Sequence, residues 1–270
     1  MIANVLSIAG SDPSGGAGIQ ADLKAMSAMG AYGMTALTAL TAQNTQGVTG
    51  VHLVPSEFVQ AQIQSVFEDV RVDAVKIGMV ATAEIAAGVA RALNQEAQIP
   101  TVVDPVMIAK GGARLLAEDA VAALRQDLLP LATLATPNLP EAAYLLGEPI
   151  ATTRDAMAAQ ASALLGLGPK AVLVKGGHLG GEDSPDCLAT KESTEWVATP
   201  RHTTRNTHGT GCTLSAALAA ALGQGHDLTE AVRQAKRYVH EAIGAADQLT
   251  VGHGHGPVHH FARLWVSSVD

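Results

Sequence analysis

Short apolar runs alternate with alanine-rich helical stretches along most of this chain, and this alternation limits the possible folds more than any other feature. NVLSIAG at residues 4–10 is typical of a buried strand, and GIQADLKAMSAMG at residues 18–30 is typical of a helix. Near-continuous apolar strands separated by helices favour parallel pairing, because each crossover helix covers one face of the sheet. The sequence therefore predicts an α/β fold with a mostly parallel central sheet and helices on both faces.

The alternation continues almost to the C-terminus without a repeat, a linker or a low-complexity block. The further predicted strands are YGMTALTALTA, VTGVHLV, DAVKIGM, TVVDPVM, LATLATPN and AVLVKGG, and the further predicted helices are SEFVQAQIQSVFEDV, EIAAGVARALNQE, EDAVAALRQDLL, CTLSAALAAALGQ and LTEAVRQAKRYVHEAIGAA. A hairpin is predicted around DCLAT and EWVATP. We expect residues 1–270 to form a single domain.

The composition excludes several classes of protein. The chain has 270 residues, of which 47% are hydrophobic, and a net charge of −8, so it can build a core but lacks the basic face that nucleic acid requires. No apolar run reaches the roughly 18–20 residues that span a bilayer, and the first residues lack the positive start of a signal peptide. The two cysteines, Cys187 and Cys212, suggest neither disulfides nor zinc, so we expect a cytoplasmic protein with reduced thiols.

In open parallel sheets, ligands bind beyond the carboxyl ends of the strands. The polar residues that end the predicted strands are therefore the candidates for a site: Gly10-Ser11-Asp12, Gln43-Asn44, Lys76 to Met79, Asp104-Pro105, Pro137-Asn138 with Glu141, and Lys175-Gly176-Gly177.

Two glycine-rich turns stand where a strand could lead into a helix. The first, AGSDPSGGAGIQADLK at residues 9–24, is followed by no Asp or Glu between Ala25 and Ser56, which disfavours a dinucleotide-binding dehydrogenase. It is either a turn whose glycines supply positive φ or a backbone cradle for a small polar substrate. The second, NTHGTGCTLSAALAAAL at residues 206–222, lacks the lysine of a Walker A loop. It is either an ordinary helix start with a buried thiol or a site that stabilises a phosphoryl group in transfer.

Seven motifs together carry a resemblance to a known family. They are AGSDPSGGAGIQADLK, TALTAQNTQGV, VKIGM, VVDPVM, TPNLPEA, VLVKGGH and NTHGTGCTLSAALAA. In this order, and over nearly the whole chain to about GHGPVHHF, the sequence resembles the hydroxymethylpyrimidine/phosphomethylpyrimidine kinases of thiamine biosynthesis, which belong to the ribokinase-like superfamily. The resemblance implies a ribokinase-like fold, ATP as donor, a small pyrimidine as acceptor of two successive phosphoryl groups, and a homodimer.

The resemblance also implies roles for particular residues. It gives catalytic roles to Lys175, Gly209, Gly211 and Cys212, contacts with the nucleotide to Lys175, Thr210 and Gly211, magnesium to Asp104 and Glu141, and the pyrimidine to Ala17, Asp22, Gln43, Met79 and Val106. Carboxylate oxygens suit a magnesium ion that bridges ATP phosphates. A carboxamide offers an acceptor beside donors, so Gln43 could pair with the ring nitrogen and amino group of an aminopyrimidine. For Met79 and Val106, core packing is the alternative.

Cys212 stands where many ribokinase-like sugar kinases place an aspartate that acts as base. A helix N-terminus lowers a thiol pKa, so Cys212 could be a thiolate that accepts the hydroxyl proton. Alternatively, the loose transition state needs little base, and the cysteine shapes the pocket. A residue less negative than aspartate would also repel an anionic phosphate acceptor less, so we hypothesise that the thiol lets one site accept an alcohol and then a phosphate.

Two other functions stay open. A pyridoxal kinase of the same superfamily could share the Gly-Thr-Gly-Cys turn, although Gln43 suits pyridoxal less well. A non-catalytic ligand-binding domain could keep the fold, although the presence of Asp104, Glu141 and Lys175 argues against it. A metal site in VGHGHGPVHHF is disfavoured, because glycine and proline between the histidines set no helical ligand geometry.

Overall fold

The central sheet determines the arrangement of all other elements. The computed structural model describes residues 1–96, 98–107 and 118–265. Its strands are β1 (Asn4–Ala9), β2 (Tyr32–Leu37), β3 (Ala39–Asn44), β4 (Gly47–Leu53), β5 (Ala74–Ile77), β6 (Thr101–Val103), β7 (Leu134–Ala135), β8 (Val172–Lys175), β9 (Asp183–Ala189) and β10 (Thr194–Pro200). Eight of them form one sheet in the order β10-β9-β8-β7-β6-β5-β1-β2, parallel from β2 to β8 and antiparallel at β9 and β10. Strands β3 and β4 pair as a separate hairpin.

Helices cover both faces of this sheet, as predicted. They are α1 (Gly18–Ala28), α2 (Ser56–Asp69), α3 (Ala83–Leu93), α4 (Glu118–Ala123), α5 (Leu139–Leu146), α6 (Arg154–Leu164), α7 (Thr210–Gly223) and α8 (Leu228–Gly244). Strand β1 shows how the two faces separate, since Leu6 and Ile8 pack with α2, α3, α5 and α6 while Val5 packs with α1, α7 and α8. This alternation follows from the two-residue period of a strand. No helix in the described ranges is long and apolar enough to cross a membrane.

Helix α7 is buried almost along its whole length. All ten residues from Thr213 to Leu222 are buried, and most of them are alanine or leucine. Small side chains let the helix approach the sheet closely, as at Gly223, where an added Cβ would lie 3.2 Å from the Cβ of Ala74. The helix thereby brings its N-terminus to the carboxyl ends of the parallel strands.

The structure corrects the predicted elements in two places. The predicted strand YGMTALTALTA is divided at Thr38, where the chain leaves the main sheet at the end of β2 and enters the hairpin as β3. Thr38 fixes this exit because its N–H donates to Ala9 O and its hydroxyl to Met79 O. No glycine or proline marks the break in the sequence. Helices α5 and α6, which begin after the N-caps Asn138 and Thr153, were both absent from the predicted elements.

A buried ion pair joins the antiparallel end of the sheet to α8. Asp186 on β9 accepts hydrogen bonds from Lys236 Nζ at 2.7 Å and from the Gly176 N–H at 3.0 Å. Both side chains of the pair are buried. Removing one partner of such a pair leaves an uncompensated charge in the protein interior.

We therefore expect Lys236→Met to lower the free energy of unfolding by about 3–5 kcal/mol, measured by urea unfolding. Combined with Asp186→Asn, the loss should be clearly smaller, because no unpaired charge remains. Arg233→Met is the matched control on the same helix, since Arg233 is 61% exposed and 3.9 Å from Glu195, and it should cost less than about 1 kcal/mol. Equal losses for Lys236→Met and Arg233→Met would contradict this account.

Candidate active site

A cleft of about 1390 Å³ opens at the carboxyl ends of the parallel strands. This is the position expected for an open parallel sheet. The cleft brings together most of the residues singled out in the sequence: Ala17, Gln43, Met79, Asp104, Val106, Glu141, Lys175, Gly209, Thr210, Gly211 and Cys212. Of the predicted site residues, Asp22 is the exception.

The two glycine-rich turns pack directly against each other in this cleft. Gly209 has a φ of +76°, and a Cβ at this residue would lie 1.7 Å from the carbonyl oxygen of Gly16. A Cβ at Gly16 would in turn lie 2.5 Å from Cδ2 of His208. Only glycine permits both the conformation at residue 209 and this approach of the two backbones. The loop after β1 and the start of α7 therefore form one continuous surface.

Asp12 organises the first of these loops. One carboxylate oxygen accepts from the N–H and the hydroxyl of Ser14, and the other accepts from the Ala17 N–H and from His208 Nε2, both at 2.8 Å. Although burial opposes ionisation, the hydrogen bonds from His208 and Ser14 lower the pKa of Asp12 to about 2. Asp12 is therefore ionised, and its hydrogen bonds connect the β1 loop to the turn before α7. Its residue type alone gave no sign of this role.

Lys175, Asp104 and Glu141 form a charged group at the first turn of α7. Lys175 Nζ lies 2.7 Å from Asp104 Oδ1 and 3.9 Å from Glu141 Oε2. A Cβ on Gly211 would lie 3.4 Å from Lys175 Nζ and 3.5 Å from Asp104 Oδ2. The group therefore lies against the helix N-terminus, where unpaired backbone N–H groups add positive charge.

The charge state of this group is tuned by burial. Burial raises the pKa of Glu141 to about 7, with Lys175 opposing the change and Asp104 adding to it. Burial would lower the pKa of Lys175, but the two carboxylates outweigh burial and raise it above its ordinary value. Glu141 is held in place by a capping box with Asn138, in which each side chain accepts the other's backbone N–H. A buried carboxylate that titrates near neutrality favours the approach of a further cation.

Asp22 does not line the cleft, contrary to the placement expected for a residue that contacts the pyrimidine. Its side chain is fully buried, and Oδ2 accepts from Lys76 Nζ at 2.8 Å and from the Ser7 hydroxyl at 2.5 Å. Lys76 does line the cleft. Asp22 therefore acts on the cleft through its ion pair with Lys76. The charge of Asp22 raises the pKa of Lys76, although burial acts to lower it.

Cys212 lies in the wall of the cleft, next to these charges. Burial raises the pKa of its thiol to about 11, although Lys76 and an N–H from Gly18 act in the opposite direction. The expectation that the helix N-terminus would lower this pKa is therefore wrong. Burial of the thiol is the largest cause, and Asp22 and Asp104 add to the rise in pKa. At neutral pH the side chain is a thiol, and the thiolate of the first hypothesis is disfavoured.

Gln43 is a polar residue in the wall of the cleft. The Gln43 amide lies 3.4 Å from both Thr41 Oγ1 and His208 Nε2, so it is only loosely held. Met79 and Val106 are partly exposed to the cleft rather than buried in the core. Thr210 caps the turn by donating its hydroxyl to Thr207 O. The polar and apolar groups expected around a small ring thus line the same cleft.

The cleft is also lined by residues that were not identified from the sequence, among them Arg201, His202 and His240. The His202 and His240 rings stack with centroids 4.2 Å apart. Arg201 donates to the carbonyl oxygens of Gly177, Leu179, Gly181 and Asp183, and so orders the loop between β8 and β9. These residues come from strand ends and helices far apart in the chain, without a motif.

The histidine-rich segment near the C-terminus is structural in most of its contacts. His255 donates its N–H to Thr45 O, and Gly256 O accepts from the N–H of His208. His260 is buried against the Thr213 hydroxyl, and burial lowers its pKa to about 3. In the described part of the chain, no cluster of three or more His, Cys, Asp or Glu residues is arranged to hold a metal ion. The segment connects the β3–β4 hairpin to the turn before α7.

A mostly parallel sheet, a glycine turn at a helix N-terminus and a lysine flanked by carboxylates define a small-molecule kinase of the ribokinase-like class. Comparisons with known proteins agree. The sequence profile described as phosphomethylpyrimidine kinase matches residues 12–259, and the chain belongs to this family. It is 55% identical over 262 residues, 97% of this chain and 98% of the relative, to a hydroxymethylpyrimidine/phosphomethylpyrimidine kinase of Escherichia coli.

Solved structures of similar proteins share the fold. A phosphomethylpyrimidine kinase from Clostridium difficile has a TM-score of 0.79 at 45% identity and covers 89% of this chain and 99% of its own. A Bacillus subtilis pyridoxal kinase, solved as an ADP complex, has a TM-score of 0.90 at 38% identity and covers 98% of this chain and 100% of its own. The mostly parallel, ribokinase-like fold predicted from the sequence is confirmed.

The raised pKa of Cys212 predicts slow alkylation at neutral pH. Iodoacetamide reacts with thiolates, so the rate at Cys212 should rise with pH and reach no plateau below about pH 10. Peptide mass spectrometry separates this residue from Cys187, whose thiol is fully buried. A plateau near pH 7 would mean that the helix N-terminus dominates after all.

Proposed function

We propose that the protein transfers a phosphoryl group from ATP to 4-amino-5-hydroxymethyl-2-methylpyrimidine and then a second one to the resulting monophosphate. Family membership and the relatives named for both reactions support this function. The observation that carries it is the joint position of Lys175, Asp104 and the first turn of α7 in one cleft with Gln43. A donor phosphate and a pyrimidine could meet there.

Phosphoryl transfer requires positioning and charge stabilisation more than covalent chemistry. The Lys175 ammonium and the backbone N–H groups that begin α7 would stabilise negative charge on the phosphoryl group in transfer. The adenosine part of the donor would lie toward the wall formed by the loop after Gly176 and by α8. An ADP complex of the similar Bacillus subtilis protein supports a nucleotide in this fold.

We also propose that magnesium binds beside Asp104 and Glu141. The residues fit such an ion because they offer hard oxygen ligands, and because the raised pKa of Glu141 reflects a second carboxylate in a buried site. Few protein ligands are needed, since magnesium keeps several waters and binds phosphates. When bound, the ion would neutralise charge on the donor phosphates. Asp104 and Glu141 would hold it, and Lys175 would turn toward the phosphoryl group.

Pyridoxal is the second candidate acceptor. The high structural similarity to pyridoxal kinases favours it, while the named relatives at 55% identity favour the pyrimidine. The homodimer and the cytoplasmic location are further proposals, which rest on the family resemblance. The large apolar residues exposed on the β3–β4 hairpin, Leu40, Val51 and Leu53, are consistent with a dimer and can be examined by light scattering.

The test is ATP consumption by the purified protein with magnesium, offered hydroxymethylpyrimidine, its monophosphate and pyridoxal separately. We expect turnover of both pyrimidines well above that of pyridoxal. Lys175→Met should lower kcat by at least about 100-fold, because it removes a cation that would stabilise the phosphoryl group in transfer. Lys191→Met, at an exposed residue, is the control. Faster ATP consumption with pyridoxal would contradict the proposed pyrimidine acceptor. No ATP consumption with any of the three compounds would support a non-catalytic ligand-binding domain.

The neutral thiol of Cys212 predicts a difference between the two steps. Cys212→Asp adds a carboxylate beside the acceptor, which repels a phosphate acceptor more than an alcohol. We therefore expect kcat/KM to fall about tenfold further for the monophosphate than for hydroxymethylpyrimidine, a difference of about 1.4 kcal/mol. Cys212→Ser, which adds no charge, is the matched control. Equal losses in both steps for Cys212→Asp would show that charge at this residue does not separate them.

A further inference from the structure

Lys76 is a buried lysine that borders the cleft from beneath its surface. The side chain, on β5, has no exposed area, yet the residue is part of the cleft wall. Gly78 leaves space for the ammonium group, because a Cβ at Gly78 would lie 2.6 Å from Lys76 Nζ. The next residue along the chain, Met79, also lines the cleft. A positive charge is therefore fixed at the carboxyl end of β5, just below the wall of the cleft.

The ion pair of Lys76 with Asp22 leaves hydrogen-bonding groups unmatched on both sides. Lys76 Nζ donates to Asp22 Oδ2 at 2.8 Å and finds no further acceptor among the described residues, although an ammonium group can donate more than once. Asp22 Oδ2 also accepts from the Ser7 hydroxyl, but no group in the described part of the chain donates to Oδ1. Buried polar groups are normally satisfied. Stability alone therefore explains this buried pair poorly.

The pair is oriented with its positive end toward the cleft, because Lys76 lines the cleft and Asp22 does not. The protein interior screens charge weakly, so the field of such a pair reaches the cleft although its net charge is zero. Cys212, in the cleft wall, is subject to this field. Burial raises the pKa of its thiol, and among the charged residues Lys76 opposes the rise most strongly while Asp22 adds to it.

We propose that Lys76 is a specificity-determining residue, whose fixed positive charge lets the cleft accept the monophosphate as well as the alcohol. This role rests on the proposed function. The phosphate group of the second acceptor brings about two negative charges into a cleft that already contains Asp104 and Glu141. Lys175 lies against those two carboxyl groups. Lys76, by contrast, has its partner Asp22 on the side away from the cleft, so its charge can oppose that of the acceptor.

The charge of Lys76 acts on binding of the acceptor and not on bond formation. In the second step, an oxygen of the acceptor phosphate forms a bond to the γ-phosphorus of ATP as the bond to ADP breaks, and no proton has to leave the acceptor. Lys76 has no exposed surface, so it acts through its field and not by contact with the transferred group. Its loss should therefore raise KM for the monophosphate more than it lowers kcat.

The test compares kcat/KM for the monophosphate with kcat/KM for hydroxymethylpyrimidine, as a ratio. Lys76→Met combined with Asp22→Asn leaves no buried charge unpaired and should lower the ratio about tenfold, mainly through KM for the monophosphate. Asp22→Asn alone keeps the positive charge, so it should raise the ratio about threefold. Lys191→Met, at an exposed lysine, is the matched control and should leave the ratio unchanged. An unchanged ratio, or a fall in both variants as general damage to packing would give, would overturn the inference.

Alkylation of Cys212 measures the same field without turnover, in variants that thermal melts show to be folded. At about pH 8, iodoacetamide should modify Cys212 about threefold faster in Asp22→Asn than in the wild type, and at least about twofold more slowly in the double variant, because the thiol pKa sets the thiolate fraction. Equal rates in an active enzyme would overturn the role of Lys76 alone. A wild type that phosphorylates no pyrimidine would overturn the proposed function, and this role with it, whatever the alkylation rates.

Discussion

The contact between two glycine backbones is the constraint on which the site depends. Gly209 meets the carbonyl of Gly16 at a distance that leaves no room for a Cβ, and this contact fuses the loop after β1 with the start of α7. In the proposed function, the first loop would lie on the acceptor side and the second on the phosphate side. Their separation is therefore set by backbone contact, and Asp12 and His208 lock it with a charged hydrogen bond. A reaction that depends on positioning benefits from a fixed distance of this kind.

The buried charges explain why a thiol stands at the start of α7. Lys76 is paired with Asp22, and Lys175 faces both Asp104 and Glu141, so this buried charge network already contains three carboxyl groups and only two lysines. An aspartate at residue 212 would add a further negative charge close to Asp22 and Asp104, both of which already act to raise the Cys212 pKa. A neutral thiol avoids this repulsion. The absence of a ready base is tolerable in a loose transition state, and for an anionic acceptor little deprotonation is needed.

The sequence predicted the fold well because local pattern and global architecture agree in this chain. The alternation of apolar strands and alanine-rich helices marked most elements, and the rule that ligands bind beyond the carboxyl ends of parallel strands correctly placed Asp104 and Lys175 in the cleft. Gln43 also lines the cleft, but it reaches it from the separate β3–β4 hairpin. Three features could not be predicted from the sequence. The break at Thr38 depends on a hydrogen bond to Met79, the depth of Asp22 on packing between β1 and β5, and the pKa of Cys212 on a balance between burial and nearby charges. Each is a tertiary effect without a local signal.

Helix α7 packs in the protein core along most of its length and also lines the cleft with its first turn. Its buried alanines allow contact with the sheet and with α1 and α8, and at its far end Gly223 packs against Ala3, Val5 and Ala74. A close-packed interior transmits a change in volume, because few voids exist to absorb it. Enlarging a residue in the middle of α7 would push the helix along or away from the sheet, and the turn at Gly209 would move with it. The geometry of the turn at Gly209 is therefore determined by packing along the whole helix as well as by the residues that line the cleft.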